Sequence, residues 1–483
     1  MTSRPPPNIV FILIDDLGWV DLGCYGSTFY ETSNLDRLAA DGARFTDAYA
    51  ASPVCSPTRA SLLTGKYPST VGVTQYIGGH GAGRLADVPS FGFLPTQEFS
   101  IARALRAGGY RTWHIGKWHL GPRRCWPDQH GFDVNIGGCE WGHPKSWISP
   151  YACPTLDDGP DGEYLTDRLT DEAIALIESA DDRPFFLNLW HYAVHIPIVA
   201  PPELVTKYER KAANLGLDRV DPIEIGEPLA VWHQRNARVA RRTVQSDPTY
   251  AAMIENLDTN IGRLLDALDR TGKADDTLVI FTSDNGGLAT AEGSPTCNAP
   301  LSEGKGWVAE GGVREPFIVR WPGVVAPGTV VRGPITSPDL YPTLLSVAGL
   351  DPRPEQHVDG IDLSPLLHGE PFERGPMYFH YPHYSNQGGR PASAVRDGRW
   401  KLTHDWDTRK STLFDLDSDV GEQHDLAARE PEIARRLEAD LLHWVQAGAA
   451  LVPPRNPVAE PYEDLAGYFL HGQIHPPPMT TTD

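Results

Sequence analysis

Positive charge, cysteine and long apolar runs are what this 483-residue chain has little of. Lys and Arg number 42 against 63 Asp and Glu, for a net charge of −21. A surface that negative excludes nucleic acid and an anionic membrane as partners, because both are bound through basic residues. It also sets a condition: an anionic substrate must find a locally positive pocket. The six cysteines (Cys24, Cys55, Cys125, Cys139, Cys153 and Cys297) form no Cys-x-x-Cys pair, which points to reduced thiols in a cytoplasmic protein. The first apolar run, Asn8 to Ile14, is too short to span a membrane, and no small-residue cleavage site follows it. Cytoplasmic location is therefore the expectation; a signal trimmed beforehand would place the same chain in the periplasm or outside the cell. There is no internal repeat.

What the chain does have is length, an ordinary 40% hydrophobic content and 13 Trp, enough for one large domain and a smaller one. Ile9 to Ile14 is continuously apolar, as in a central parallel strand, and ends in Asp15-Asp16. The same order of strand then polar cluster recurs: Tyr110 to Ile115 before Lys117 and His119, Pro184 to Trp190 before His195, and Thr277 to Thr282 before Asp284-Asn285. Helical patterns lie between them at Asn34–Gly42, Ser100–Gly108, Thr166–Ser179, Tyr250–Thr271 and Leu340–Ala348. Phe45 to Ala50 reads as the approach to Cys55, and 122–162 as irregular loop. This alternation predicts an α/β fold, a large doubly wound, mostly parallel sheet flanked by helices. After Gly369 short strands and a helix over Pro431–Ala447 predict a small C-terminal antiparallel sheet with a packed helix. The expected division is residues 1–370 and 371–483, with a surface tail beyond Pro453.

Functional groups of open α/β sheets gather at the C-terminal ends of the strands. Asp15, Asp16, Asp284 and Asn285 offer four oxygens from two such ends, a set that suits Ca²⁺ or Mg²⁺, although both pairs are also ordinary turn formers. Zinc is disfavoured, since neither pair brings His or Cys with it. Cys55 stands where a helix begins, because Pro57 fits a first turn and Ala60 to Leu63 are good helix formers. A helix N-terminus favours an anion, and Arg59, one turn on, can reach back toward it.

The run Cys55-x-Pro57-x-Arg59, followed by Ala-Ser-Leu-Leu-Thr-Gly, resembles the signature of the type I sulfatases, in the alkaline phosphatase superfamily. The resemblance extends in matching order from Asp15-Asp16 to Thr412–Asp417. It implies that Cys55 is converted to Cα-formylglycine by a maturation enzyme, and that the hydrated aldehyde is the nucleophile. It also implies a Ca²⁺ held by Asp15, Asp16, Asp284, Asn285 and the oxygen on residue 55. Arg59 and Lys117 would hold the hydrate and the sulfate, His119 would be the base acting on the formylglycine, His195 would stand beside the leaving oxygen, and Lys305 would bind sulfate.

A sulfated small molecule or saccharide is the implied substrate. His380, His383, Asn386 and Arg390, a hydrogen-bonding set in the second domain, are the candidate sugar contacts, or else a solvated polar loop. Trp141 and Trp147 complete a resemblance to the pocket walls of carbohydrate sulfatases. Two rivals remain open: a phosphonate or phosphate ester hydrolase with the same nucleophile, and a non-catalytic sulfated-sugar binder with an unmodified Cys55.

Overall fold

The computed structural model describes residues 5–79, 81–448 and 450–457, so the tail expected beyond Pro453 lies, past residue 457, outside the described residues. Fifteen strands appear in chain order. They are β1 (Asn8–Ile14), β2 (Ala43–Tyr49), β3 (Arg111–Gly116), β4 (Val134–Ile136), β5 (Phe185–Trp190), β6 (Ile223–Pro228), β7 (Arg238–Arg242), β8 (Thr277–Ser283), β9 (Arg314–Arg320), β10 (Thr329–Val331), β11 (Ile335–Thr336), β12 (Met377–Tyr381), β13 (Ala392–Asp397), β14 (Trp400–Asp405) and β15 (Lys410–Asp415). Nine of them form the main sheet, in the order β10-β2-β9-β8-β1-β5-β3-β4 with β11 also on β2. All neighbours run parallel except those of β9, which is antiparallel to both β8 and β2.

β1 explains why the sheet is central. Its residues alternate between two cores: Val10, Ile12 and Ile14 face the side covered by Leu165–Glu178 and Pro248–Arg270, while Ile9, Phe11 and Leu13 face the side with Cys55–Thr64 and Leu340–Val347. All seven residues of the strand except Asn8 are buried. That is why the sequence shows an unbroken apolar run and no alternation.

β12 to β15 form the predicted antiparallel sheet. One face carries Pro431–Ala447 through Val395, Leu402, Leu413, Leu437 and Leu441. The other packs Met377, Phe379 and Ala394 on Tyr49, Val308 and Val313 of the larger unit. Among these apolar groups lies a buried charge cluster. Glu310 accepts from Lys401 (2.9 Å), Tyr49 (2.7 Å) and Arg314 (3.2 Å); Lys401 also meets Glu422 (2.9 Å), and Asp47 pairs with Arg396 (2.6 Å) and Arg314 (3.2 Å).

Three readings are corrected. Phe45 to Ala50 is mostly strand, since β2 runs to Tyr49; its polar Arg44, Thr46 and Asp47 hid the pattern. The stretch 122–162 contains β4, paired with β3. The helix Pro202–Leu215 and the β6-β7 hairpin went unanticipated.

Candidate active site

Four adjacent parallel strands, β8-β1-β5-β3, end at one edge of the sheet and deliver Asp284-Asn285, Asp15-Asp16, His195, and Lys117 with His119. Gly116 is required there: its φ is +94°, and a Cβ would meet the Trp190 carbonyl oxygen at 2.0 Å. This lets the next residue, Lys117, donate its N–H to Trp190 O at 2.7 Å. Asp16 (φ 64°) and His119 (φ 55°) hold left-handed backbone that non-glycine residues seldom adopt, a strain that collects at functional sites.

Cys55 opens the helix Cys55–Thr64, every residue of which is buried. The polar residues are held by internal bonds, as Ser56 Oγ donates to His119 O at 2.9 Å and Thr58 Oγ1 to Ser52 O at 3.0 Å. Arg59 points its guanidinium into the site. Its Nε donates to Asp284 Oδ2 (2.8 Å), its Nη1 to Lys117 O (3.0 Å), and its Cζ lies 5.1 Å from the Trp190 ring centroid.

Two further cations close the cluster. Lys117 Nζ lies 2.6 Å from Asp15 Oδ2, and Lys305 Nζ 2.8 Å from Asp16 Oδ2. Asn285 Nδ2 donates to Asp16 Oδ1 at 2.8 Å. Three carboxylates thus face three cations, all buried. Burial pushes Asp15 well above the usual carboxylate range; burial also opposes the charge of Asp16, but Lys305 and Lys117 outweigh it and hold that carboxylate low. Two buried oxygens, Asp15 Oδ1 and Asn285 Oδ1, make no hydrogen bond. They belong to two of the four expected metal ligands, and an all-oxygen set with unpartnered atoms fits a hard cation such as Ca²⁺ or Mg²⁺. Asp15, Asp16 and His195 also bring ligand atoms within 4.8 Å of one another.

The two histidines have fixed roles as acceptors. His119 Nε2 lies 3.0 Å from Ile77 O, so it carries the proton, and the bare Nδ1 faces Cys55 Sγ at 3.3 Å. His195 Nδ1 donates to Ile196 O at 2.6 Å, and its Nε2 takes a bond from Lys305 Nζ at 3.0 Å. Burial, with Lys117 beside His119 and Lys305 beside His195, keeps both neutral. Burial also raises the Cys55 thiol, so it is not poised as a thiolate.

These groups form the floor of a cavity of about 410 Å³, lined further out by Tyr76, Gly142, His143, Glu292 and Gln387. Cavities of about 640 and 720 Å³ elsewhere contain none of the floor residues. Of the expected sugar contacts, none lines this cavity. His380 bonds Ser393 Oγ (2.6 Å) and Leu451 O (3.2 Å), and His383 bonds Thr74 Oγ1 (2.9 Å) and Asp87 Oδ1 (2.6 Å), both buried. Arg390 pairs with Asp407 at 2.8 Å. Asn386 comes nearest, donating to the Tyr76 hydroxyl at 3.3 Å. Trp147 is core, its indole N–H on Pro197 O at 2.7 Å, and Trp141 is half-buried under Lys145. Tyr76, His143, Glu292 and Gln387 were missed because they come from separate loops and share no spacing.

The chain is similar to known proteins in sequence and in fold. Residues 7–350 match the sulfatase family model, and residues 304–446 the model for the C-terminal part of N-sulphoglucosamine sulphohydrolase. The chain is 33% identical to arylsulfatase A of Homo sapiens, over 98% of this chain and 94% of that one. It is likewise 33% identical to N-acetylgalactosamine-6-sulfatase of Mus musculus, over 83% and 74%. A crystal structure of Ps i-CgsB in complex with k-i-k-neocarrahexaose is similar with a TM-score of 0.74 at 26% identity, covering 96% of this chain and 98% of that one.

Proposed function

The chain belongs to the sulfatase family and is a sulfuric ester hydrolase, and we propose that it acts on a sulfated carbohydrate through a hydrated formylglycine made from Cys55, beside a divalent cation. The observation that carries this reading is residue 55 itself: buried at a helix start, with the bare Nδ1 of His119 at 3.3 Å and three cations around it. A thiol held protonated is a poor nucleophile. A hydrated aldehyde there supplies an oxygen nucleophile and a second hydroxyl whose deprotonation releases sulfate by C–O cleavage.

The chain's own residues fit that chemistry. Asp15, Asp16, Asp284 and Asn285 would hold Ca²⁺ or Mg²⁺, which adds two positive charges to a cluster otherwise balanced between three acids and three bases. That answers the difficulty of a net −21 protein taking an anion: the field is local and buried. Arg59, Lys117 and Lys305 then neutralise the sulfate oxygens as charge moves to the bridging atom. Lys305, directly or through the His195 Nε2 it already bonds, gives a proton to the departing alcohol. His119 Nδ1 takes the proton of the second hydroxyl.

A sulfated saccharide is supported by the N-acetylgalactosamine sulfatase and carrahexaose-bound relatives. The test is the mass of the peptide carrying residue 55, from protein matured in its native host and active on an aryl sulfate. A loss of about 18 Da, sulfur exchanged for an aldehyde oxygen, is the expected result. An intact cysteine in the active protein overturns the nucleophile. Parallel assays on phosphonate and phosphate esters separate the rival hydrolase.

A further inference from the structure

The cavity is two-faced. Its floor holds the cation Lys305, with Lys117 and Arg59 behind it, whereas among the described residues its outer wall holds no lysine or arginine and one carboxylate, Glu292. That carboxylate is not adventitious decoration of a loop. Gln387, only 3% exposed, donates its Nε2 to Glu292 Oε2 at 2.7 Å and leaves its own Oε1 buried without a hydrogen bond. His143 lies parallel to His195, with ring centroids 6.3 Å apart, and gives its Nδ1 proton to Pro144 O at 3.2 Å, so its Nε2 is an acceptor. Tyr76 accepts from Asn386 at 3.3 Å and keeps its O–H to donate. Tyr76 and Glu292 line the same cavity, and burial together with the Glu292 carboxylate raises the Tyr76 phenol.

A wall with one carboxylate, a bare imidazole nitrogen and a neutral phenol asks for hydroxyl groups and repels anions. A sulfate seated on the floor leaves the alcohol part of the ester against this wall. Resting on the sulfatase reading above, we propose that the wall selects an uncharged, hydroxyl-rich ring carrying a single sulfate. Its hydroxyl hydrogens go to Glu292, which Gln387 holds in place, and Glu292 rejects a second anionic group beside the ester. Glu292 is then the specificity-determining residue. It acts by disfavouring the competitor as much as by binding the substrate.

The test compares monosulfated hexopyranosides with their disulfated counterparts, each as substrate and as competitor of 4-nitrophenyl sulfate hydrolysis by the mature enzyme. The wild type is expected to favour the monosulfated member of each pair by about tenfold or more, the scale of one like-charge contact in a partly screened pocket. Glu292→Gln should narrow that ratio about tenfold, and Glu292→Lys should invert it. Both substitutions are on an exposed residue, so folding is not at stake. Equal competition by mono- and disulfated sugars in the wild type, or a ratio unmoved by both variants, overturns the proposal. If the aryl sulfate is turned over while the ratio stays flat, the wall is wrong and the ester chemistry stands. If the aryl sulfate is not turned over, both fall.

Discussion

The protein buries two ionic clusters of the same size, and they are finished differently. At the junction of the two sheets, Asp47, Glu310 and Glu422 meet Arg314, Arg396 and Lys401, and no buried polar atom of these six lacks a hydrogen bond. At the strand ends, Asp15, Asp16 and Asp284 meet Arg59, Lys117 and Lys305, yet Asp15 Oδ1 and the neighbouring Asn285 Oδ1 are left without one. Removing charges from water is costly, and pairing repays it only when the bonding is complete. A closed cluster therefore fixes how two sheets sit, while an open one has capacity left for a ligand. Charge and burial alone do not separate structure from function; the unpartnered oxygens do.

This contrast can be broken by experiment. The largest effect belongs to the open cluster: Cys55→Ala should lower turnover of an aryl sulfate by about 10⁴-fold or more, as loss of a nucleophile does, with no change in Tm. Retention of wild-type rates would remove residue 55 from the chemistry. Lys401→Met should do the reverse. It removes the cation that Glu310 and Glu422 share, in a site where Lys401 is fully buried, costing about 3–5 kcal/mol in denaturant unfolding, while kcat/KM of the folded enzyme holds. An equal fall in both quantities would abolish the distinction.

The third effect sharpens it. Ca²⁺ added to chelator-treated protein should stabilise it, by about 2.7 kcal/mol at a hundredfold excess over Kd. Asp284→Asn should erase that gain and Lys401→Met should keep it; a shift surviving Asp284→Asn would place the ion elsewhere. The smallest effect concerns a buried group in neither cluster. Burial, helped by Arg103, lowers His130 to about 4, and neither ring nitrogen has a hydrogen bond. An unfolded histidine titrates near 6.5, so between those values the unfolded chain binds the extra proton. The stability tied to His130 is thus complete above about pH 6.5 and drains as pH falls toward 4. His130→Phe should lessen that slope by about 1.4 kcal/mol per pH unit. Glu310, which Lys401, Arg314 and Arg396 hold below its ordinary range against the effect of burial, belongs to a more acidic window. Titration of unfolding with pH separates the two.

The strands of the floor were legible because each is buried on both faces and stops at a polar cluster; Ile9 to Ile14 followed by Asp15-Asp16 leaves little else to be. The antiparallel direction of β9 was not legible, since Arg314–Arg320 has the same apolar texture in either direction. β2 was obscured because Asp47 pairs with Arg396 and Arg314 at the junction and Arg44 lies over the Tyr25 ring. The helix Pro202–Leu215 had its signal in Leu204, Tyr208 and Ala212 at four-residue spacing, diluted by seven exposed or half-exposed polar residues around them. The pocket wall is the clearest failure. His380 and His383 look like ligand contacts because they are polar and close in sequence, yet the fold uses them on Ser393, Thr74 and Asp87. Glu292 and Gln387 look like loop residues, and only their meeting across 95 positions reveals them.

The strand order also sets a timetable for biosynthesis. β1 and β2 leave the ribosome first but never touch; β8 and β9, made more than two hundred residues later, lie between them. At 5–20 residues per second the interval from β1 to β8 is roughly 15 to 50 seconds. Through it, the nascent chain carries unpaired strand edges, the kind that recruit other chains. Until Asp284 arrives, the Asp16 backbone N–H and Arg59 also lack the carboxylate that joins them. A translation arrest before residue 277 would therefore release a sticky, inert fragment, while the same arrest after residue 336 would release a chain with every strand of the main sheet made.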